Sequence, residues 1–240
     1  MEYLEKTLKE TKDQYQTRLV IIDGVYSQDG DLSLLPEIIS LCKTHEAMLM
    51  LDDAHGIGVM GANGKGTAEH FNCLGQVDII TGTFSKSFGC VGGFAAASKK
   101  IIQYLKFYAD SNVFSAAPTP QVTASILKAL EIIKKEPAIR TRLWKNTDYL
   151  RSRLTTEGFD IGKSVSPIFP IMIRDNKKVY EIAKMLQEKG IFTIGIVYPA
   201  VRTKEARLRV SVLATHEYEQ LDALINALND INKDIKIKKE

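Results

Sequence analysis

Short, uninterrupted apolar runs alternate with helix-length amphipathic stretches through the first half of this chain, and that alternation restricts the fold more than any other feature. Leu19-Val-Ile-Ile-Asp23, Ala47-Met-Leu-Met-Leu-Asp52 and Val77-Asp-Ile-Ile-Thr-Gly-Thr83 each read as a strand. A run without polar interruption has no face to offer water. The spacing therefore predicts strands buried on both faces in a mostly parallel sheet covered by helices, an α/β domain. Between the first two runs, residues 34–46 place Leu35, Ile38, Ile39 and Cys42 on one side of a helix. Gly92-Gly-Phe-Ala-Ala-Ala97 reads as a further short strand whose glycines suit close backbone approach.

Beyond residue 97 the pattern turns helical before it returns to strands. Ser98 is positioned as the N-cap of a helix burying Ile101, Ile102 and Leu105, and Thr119-Pro120 opens another carrying Val122, Ile126, Leu130 and Ile133. A third helix spans about 137–157 and ends at Gly158. Strands over 168–173, 191–198 and 206–213, a helix near 176–189 and a closing helix from Glu217 follow. The order suggests a first domain over 1–134 and a smaller α+β domain over 135–240, with no repeat or flexible linker.

Composition removes several function classes. At 240 residues with 45% hydrophobic and 25% charged, the chain can bury a real core. Its 32 basic and 29 acidic residues nearly balance, so nucleic acid is not implied. Only Asn232 to Glu240 concentrates positive charge, which reads as a solvated end. Three cysteines, Cys42, Cys73 and Cys90, without CxxC spacing suggest neither a disulfide framework nor a zinc site, and point to a reducing compartment, by default the cytoplasm. No apolar run approaches the roughly 18 residues of a membrane span, and the charged start lacks a signal-peptide core.

Two nucleotide-like signatures are discounted. Gly56-Ile-Gly-Val-Met-Gly61 matches GxGxxG, yet the turn-forming Ala62-Asn-Gly-Lys-Gly66 that follows cannot open the helix a pyrophosphate site needs. Gly64-Lys-Gly-Thr67 lacks the hydroxyl directly after the lysine that a phosphate loop requires. Asp52-Asp-Ala-His55 is more informative, because ligands of open parallel sheets bind beyond the carboxyl ends of strands, and Lys86 follows the end of the third strand. Three readings stand: a metal site, loop hydrogen bonding without further role, or a pyridoxal phosphate site built from a Schiff-base lysine, a carboxylate for the ring nitrogen, a donor for the phenolic oxygen and hydroxyls for the phosphate.

The series Asp23-Gly-Val-Tyr-Ser-Gln-Asp-Gly-Asp31, Leu51-Asp-Asp-Ala-His-Gly-Ile-Gly58, Gly64-Lys-Gly66 and Thr83-Phe-Ser-Lys-Ser-Phe-Gly89 resembles the α-oxoamine synthases, fold-type I pyridoxal phosphate enzymes that join an acyl-CoA to a small amino acid such as glycine, alanine or serine. The resemblance implies a partial fold-type I large domain followed by the C-terminal small domain. It implies that Lys86 holds the cofactor covalently, that Asp52 pairs with its ring nitrogen and that His55 donates to its phenolic oxygen, with Ser27 near the same oxygen. Thr83 would bind phosphate, with Ser115 a weaker phosphate candidate because Ala116 stands where many relatives carry a polar residue. Arg209 would grip the amino-acid carboxylate, where a bidentate fork suits better than a lysine; read alone, it is a surface strand residue. Asp53 is expected to point to the other side of the strand end and to tolerate Asn better than Asp52 does.

The same resemblance implies a homodimer and, before the point matching Met1, roughly 150 further residues carrying strands, an aromatic stacked on the cofactor and a glycine-rich phosphate turn. An inactive fragment or non-catalytic subunit of such an enzyme is the rival reading, and a fold-type I aminotransferase a more distant one. Val197-Tyr-Pro199 resembles the glycine-using branches, whereas Thr83-Phe-Ser-Lys-Ser-Phe-Gly89 is closer to serine palmitoyltransferases.

Overall fold

The structure, a computed structural model, describes residues 1–238; the last two residues of the basic tail lie outside them. By contacts it divides into two units, one of Met1–Val25 with Leu32–Pro137, the other of Tyr26–Asp31 with Ala138–Glu240. The division thus falls between Pro137 and Ala138, and the second unit takes in a short early segment that no composition shift marks.

The first unit opens with α1 (Glu2–Glu10) and holds a four-stranded sheet, β1 (Leu19–Asp23), β2 (Met48–Asp52), β3 (Ile79–Thr83) and β4 (Gly93–Ala97), ordered β1-β2-β3-β4. The first three strands are parallel and β4 runs antiparallel to β3. α2 (Leu35–Thr44) starts with Pro36 in its first turn, where the missing N–H leaves no bond unmade. Its buried face of Leu35, Ile38, Ile39 and Cys42 meets Leu49 and Leu51 of β2, with Val20 and Ile22 of β1 alongside and Ala68 of the short α3 (Thr67–His70) completing the cluster.

Burial on both faces is not what β1 shows. Leu19 is 45% and Ile21 61% exposed, because these residues leave on the face opposite α2, and the described residues bring no helix against them. Apolar continuity records what a strand can bury; it does not supply the covering layer. The helices after β4 repeat the point. α4 (Lys99–Tyr108) is capped by Ser98, whose hydroxyl accepts from the Ile101 N–H, and α6 (Pro120–Lys135) by Thr119, which accepts from Val122. Yet among the described residues neither these helices nor the short α5 (Asp110–Val113) contains a buried residue. Ile101, Ile102 and Leu105, expected in a core, are only half-buried, while Phe107 is 77% and Leu127 63% exposed.

The second unit contains α7 (Pro137–Thr156) from its second residue on, β5 (Ile168–Met172), α8 (Asn176–Glu188), β6 (Ile194–Ile196), β7 (Arg207–Ser211) and α9 (Tyr218–Asp234). Its antiparallel sheet has the order β5-β7-β6. Phe169, Ile171 and Leu208 from the sheet pack with Leu150 and Leu154 of α7, Ile182 and Leu186 of α8, and Ile225 and Leu228 of α9 in one apolar cluster. Asp175 caps α8 by accepting from the Lys177 and Lys178 N–H groups, and Glu217 with Gln220 forms a capping box on α9. β6 is shorter than the apolar run over 191–198 suggests, because Val197 already accepts from the Ala200 N–H in a turn containing Pro199.

Candidate active site

The carboxyl ends of the three parallel strands bring the sequence motifs of the first unit together. Asp23 is in register with Asp52, and Asp52 with Thr81, so these residues form a row across β1, β2 and β3. Asp52 is held by its own turn, Oδ1 accepting the Ala54 N–H at 2.9 Å. His55 follows within this turn, half-buried.

Asp53 leaves the strand end on the other side and is fully buried. Its carboxylate accepts from the Thr67 N–H at 2.7 Å and the Thr67 hydroxyl at 2.6 Å. A Cβ on Gly24, Gly56 or Gly66 would collide with this carboxylate, so the first glycine of GxGxxG and two glycines outside it make room for Asp53. The region over 56–66 is a succession of turns that opens no helix at Gly61. Burial pushes the Asp53 carboxyl above its ordinary value, with the two Thr67 bonds pulling it back.

Lys86 lies in the loop between β3 and β4, exposed. The loop is closed by Phe84 N–H to Gly92 O at 2.9 Å, Cys90 N–H to Phe84 O at 2.7 Å and Gly89 N–H to Lys86 O at 3.0 Å. Ser87 donates to the Ile57 carbonyl at 2.7 Å, tying the lysine loop to the turn after His55. Beneath it Phe84, the mostly buried Phe88 and Phe94 pack ring on ring. Thr83 and Ser85 share a hydroxyl–hydroxyl bond of 2.7 Å, and Thr83 Oγ1 also accepts from the Ser85 N–H at 3.1 Å. The carboxyl of Asp23 is raised, first by burial and then by the negative charge of Asp52, while Lys86 opposes the shift.

Ser115, in the same unit, stands apart: it is exposed after α5 and makes no hydrogen bond among the described residues.

In the second unit Ser27 and Arg209 meet directly. Arg209 Nε donates to the Ser27 carbonyl at 2.6 Å and its Nη1 to the Ser211 hydroxyl at 2.9 Å. Burial lowers the pKa of this guanidinium from its usual value. Arg209 also lines a cavity of about 590 Å³ with Ser211, His216, Ile191, Phe192 and Leu224. Two residues earlier, the buried Arg207 pairs with Asp29 and donates to the Gln28 carbonyl at 3.2 Å. Alternate β7 residues therefore clasp the 26–31 segment from one strand face. The sequence motifs assign no role to Asp23, Thr67 or Arg207; the Arg-Leu-Arg alternation is the one sign of the last.

Comparison with known proteins gives a consistent picture. The family described as aminotransferase class I and II matches residues 1–228. An 8-amino-7-oxononanoate synthase of Thermoanaerobacter pseudethanolicus is 42% identical over 237 residues, 99% of this chain and 60% of that protein. A serine palmitoyltransferase of Sphingobacterium spiritivorum is 45% identical over 221 residues, 92% of this chain and 55% of that one. Among solved structures, one of SPT with a PLP internal aldimine superposes with a TM-score of 0.90 at 28% identity, covering 97% of this chain and 60% of that one. The chain thus spans about 60% of the length of relatives it matches.

Proposed function

We propose, from the premise that this chain belongs to the aminotransferase class I and II family in its α-oxoamine synthase branch, that it is the lysine-bearing part of a pyridoxal phosphate-dependent acyl-CoA:amino acid C-acyltransferase. The observation that carries the reading is the alignment of Asp52, His55, Thr83 and Lys86 at the carboxyl ends of adjacent parallel strands.

The residues fit the cofactor chemically. Asp52 has one oxygen fixed by the Ala54 N–H, which orients the carboxylate while its other oxygen has no protein donor among the described residues. A carboxylate so held can keep a ring nitrogen protonated. Thr83 and Ser85 present paired hydroxyls for a phosphate, and the turns at Gly89 and Gly92, both at positive φ, bring backbone to the same loop. When bound, pyridoxal phosphate supplies an electron sink for charge developing on the substrate α-carbon. Lys86, on an exposed loop, would hold the cofactor aldehyde and then move the α-proton. His55 would supply a hydrogen bond to the phenolic oxygen, and Ser27, by the resemblance, a second contact to it.

Arg209 presents a guanidinium oriented by Ser27 and Ser211, suited to a substrate carboxylate. The acyl donor is an acyl-CoA and the acceptor a small amino acid; the assembly is a homodimer to which Ser115 contributes a phosphate contact; the compartment is the cytoplasm, in keeping with three free cysteines. No helix among the described residues is long and apolar enough to cross a membrane.

The test is amino-acid-dependent release of CoA thiol from an acyl-CoA by the cofactor-loaded protein in its native assembly. Glycine, alanine or serine should each be tried, with at least one giving release that Lys86→Ala abolishes. Release independent of the amino acid, or equal in Lys86→Ala, would defeat the reading.

A further inference from the structure

Asp23 ends β1 directly beside Asp52 at the end of β2. In-register residues of parallel strands send their side chains to the same face, and neighbouring strands run about 4.8 Å apart. Two carboxylates therefore stand side by side, on the face away from α2 and its apolar cluster. The charged groups acting on Asp23 are Asp52 on β2 and Lys86 in the loop after β3. Like charges at this spacing repel, and the repulsion turns to advantage only when a cation lies against both.

We propose that Asp23 is a positioning residue for the reaction, forming with Asp52 a two-carboxylate seat whose negative potential is only partly offset by Lys86 before the cofactor arrives and is matched by the protonated ring nitrogen afterwards. The second half rests on the proposed function; the first does not. Asp52 remains the contacting carboxylate, while Asp23 deepens the negative potential around it and so favours the protonated ring. Burial and the Asp52 charge raise the Asp23 carboxyl, in keeping with a pair that is uncomfortable without its cation.

The sign of the pH dependence follows. A carboxyl whose folded pKa is raised contributes stability that is complete below its unfolded value, about 3.9, and lost as pH rises through the folded pKa. Above that window, ionised Asp23 works against the cofactor-free fold.

The experiment compares the unaltered protein with Asp23→Asn and Asp23→Glu. Without cofactor, Asp23→Asn should melt about 2–4 °C higher at pH 8, the gain disappearing towards pH 4. With pyridoxal phosphate followed by fluorescence titration, Asp23→Asn should bind about three- to tenfold more weakly, and Asp23→Glu, which keeps the charge, within about twofold of the unaltered protein. A residue with a merely structural role would lower the melting temperature at every pH. That outcome, or unchanged affinity in Asp23→Asn, overturns the proposal. If the unaltered protein binds no pyridoxal phosphate, the functional reading fails and the ring-nitrogen half with it, while the cofactor-free melting curves still decide whether the two carboxylates oppose each other.

Discussion

Asp52 and Asp53 are consecutive carboxylates with opposite surroundings, since successive side chains at a strand end leave on opposite faces. Asp52 is half-buried beside Asp23; Asp53 is fully buried under Gly24, Gly56 and Gly66 and organises the turn that leads to α3. Replacing Asp53 by Ala strands two donors of Thr67, each costing roughly 1–3 kcal/mol, so chemical denaturation should show a loss of about 2–6 kcal/mol. Asp53→Asn should lose much less, because the Thr67 hydroxyl can turn to accept from the new amide. Equal stability for Asp53→Ala and the unaltered protein would remove Asp53 from this structural role. The candidate residues Asp52, His55 and Lys86 stand out in the sequence because Asp, His and Lys at strand ends are conspicuous and because their order resembles a family. Asp23 and Arg207 do not, since each acquires meaning from a neighbour far away in sequence, one through strand register and the other through Asp29.

Helices and strands were legible wherever local chemistry decides them. Ser98, Thr119, Asp175 and Glu217 cap the helices they precede, and each cap satisfies backbone N–H groups that the first turn cannot pair internally. Burial was not legible, because periodicity says which side of an element is apolar and is silent on whether another layer covers it. α4 and α6 keep their apolar stripes half-buried or open, and Tyr104, Phe107, Tyr108 and Phe114 are all more than half exposed. Surface of this kind is ordinarily covered by association. The protein should therefore run as a dimer or larger in size-exclusion chromatography with light scattering, and Phe107→Glu combined with Leu127→Glu should shift it towards the monomer. Because neither side chain is packed in a core, thermal unfolding of the doubly substituted protein at low concentration should change by about 0.5 kcal/mol or less per site. A monodisperse monomer for the unaltered protein would contradict this account of the helices.

At the scale of the whole molecule, the candidate residues divide between the two units. The first holds the carboxylates and the lysine loop; the second holds Arg209 and the 26–31 segment that includes Ser27. The α/β character of the first unit was readable from its apolar runs. The excursion of 26–31 into the second unit was not, because it depends on Arg207 and Arg209 reaching from β7 to backbone and side chains some 180 positions earlier. Belonging to the aminotransferase class I and II family sets the expectation that this arrangement serves a lysine-bound cofactor, and Lys86 is the residue on which that expectation turns. The most direct measurement is borohydride reduction of the protein with pyridoxal phosphate followed by peptide mass mapping. The account predicts a single predominant reduced adduct on the peptide containing Lys86, absent in Lys86→Ala and weakened in Asp52→Ala. Adducts scattered over surface lysines, or an unchanged yield in Lys86→Ala, would contradict it.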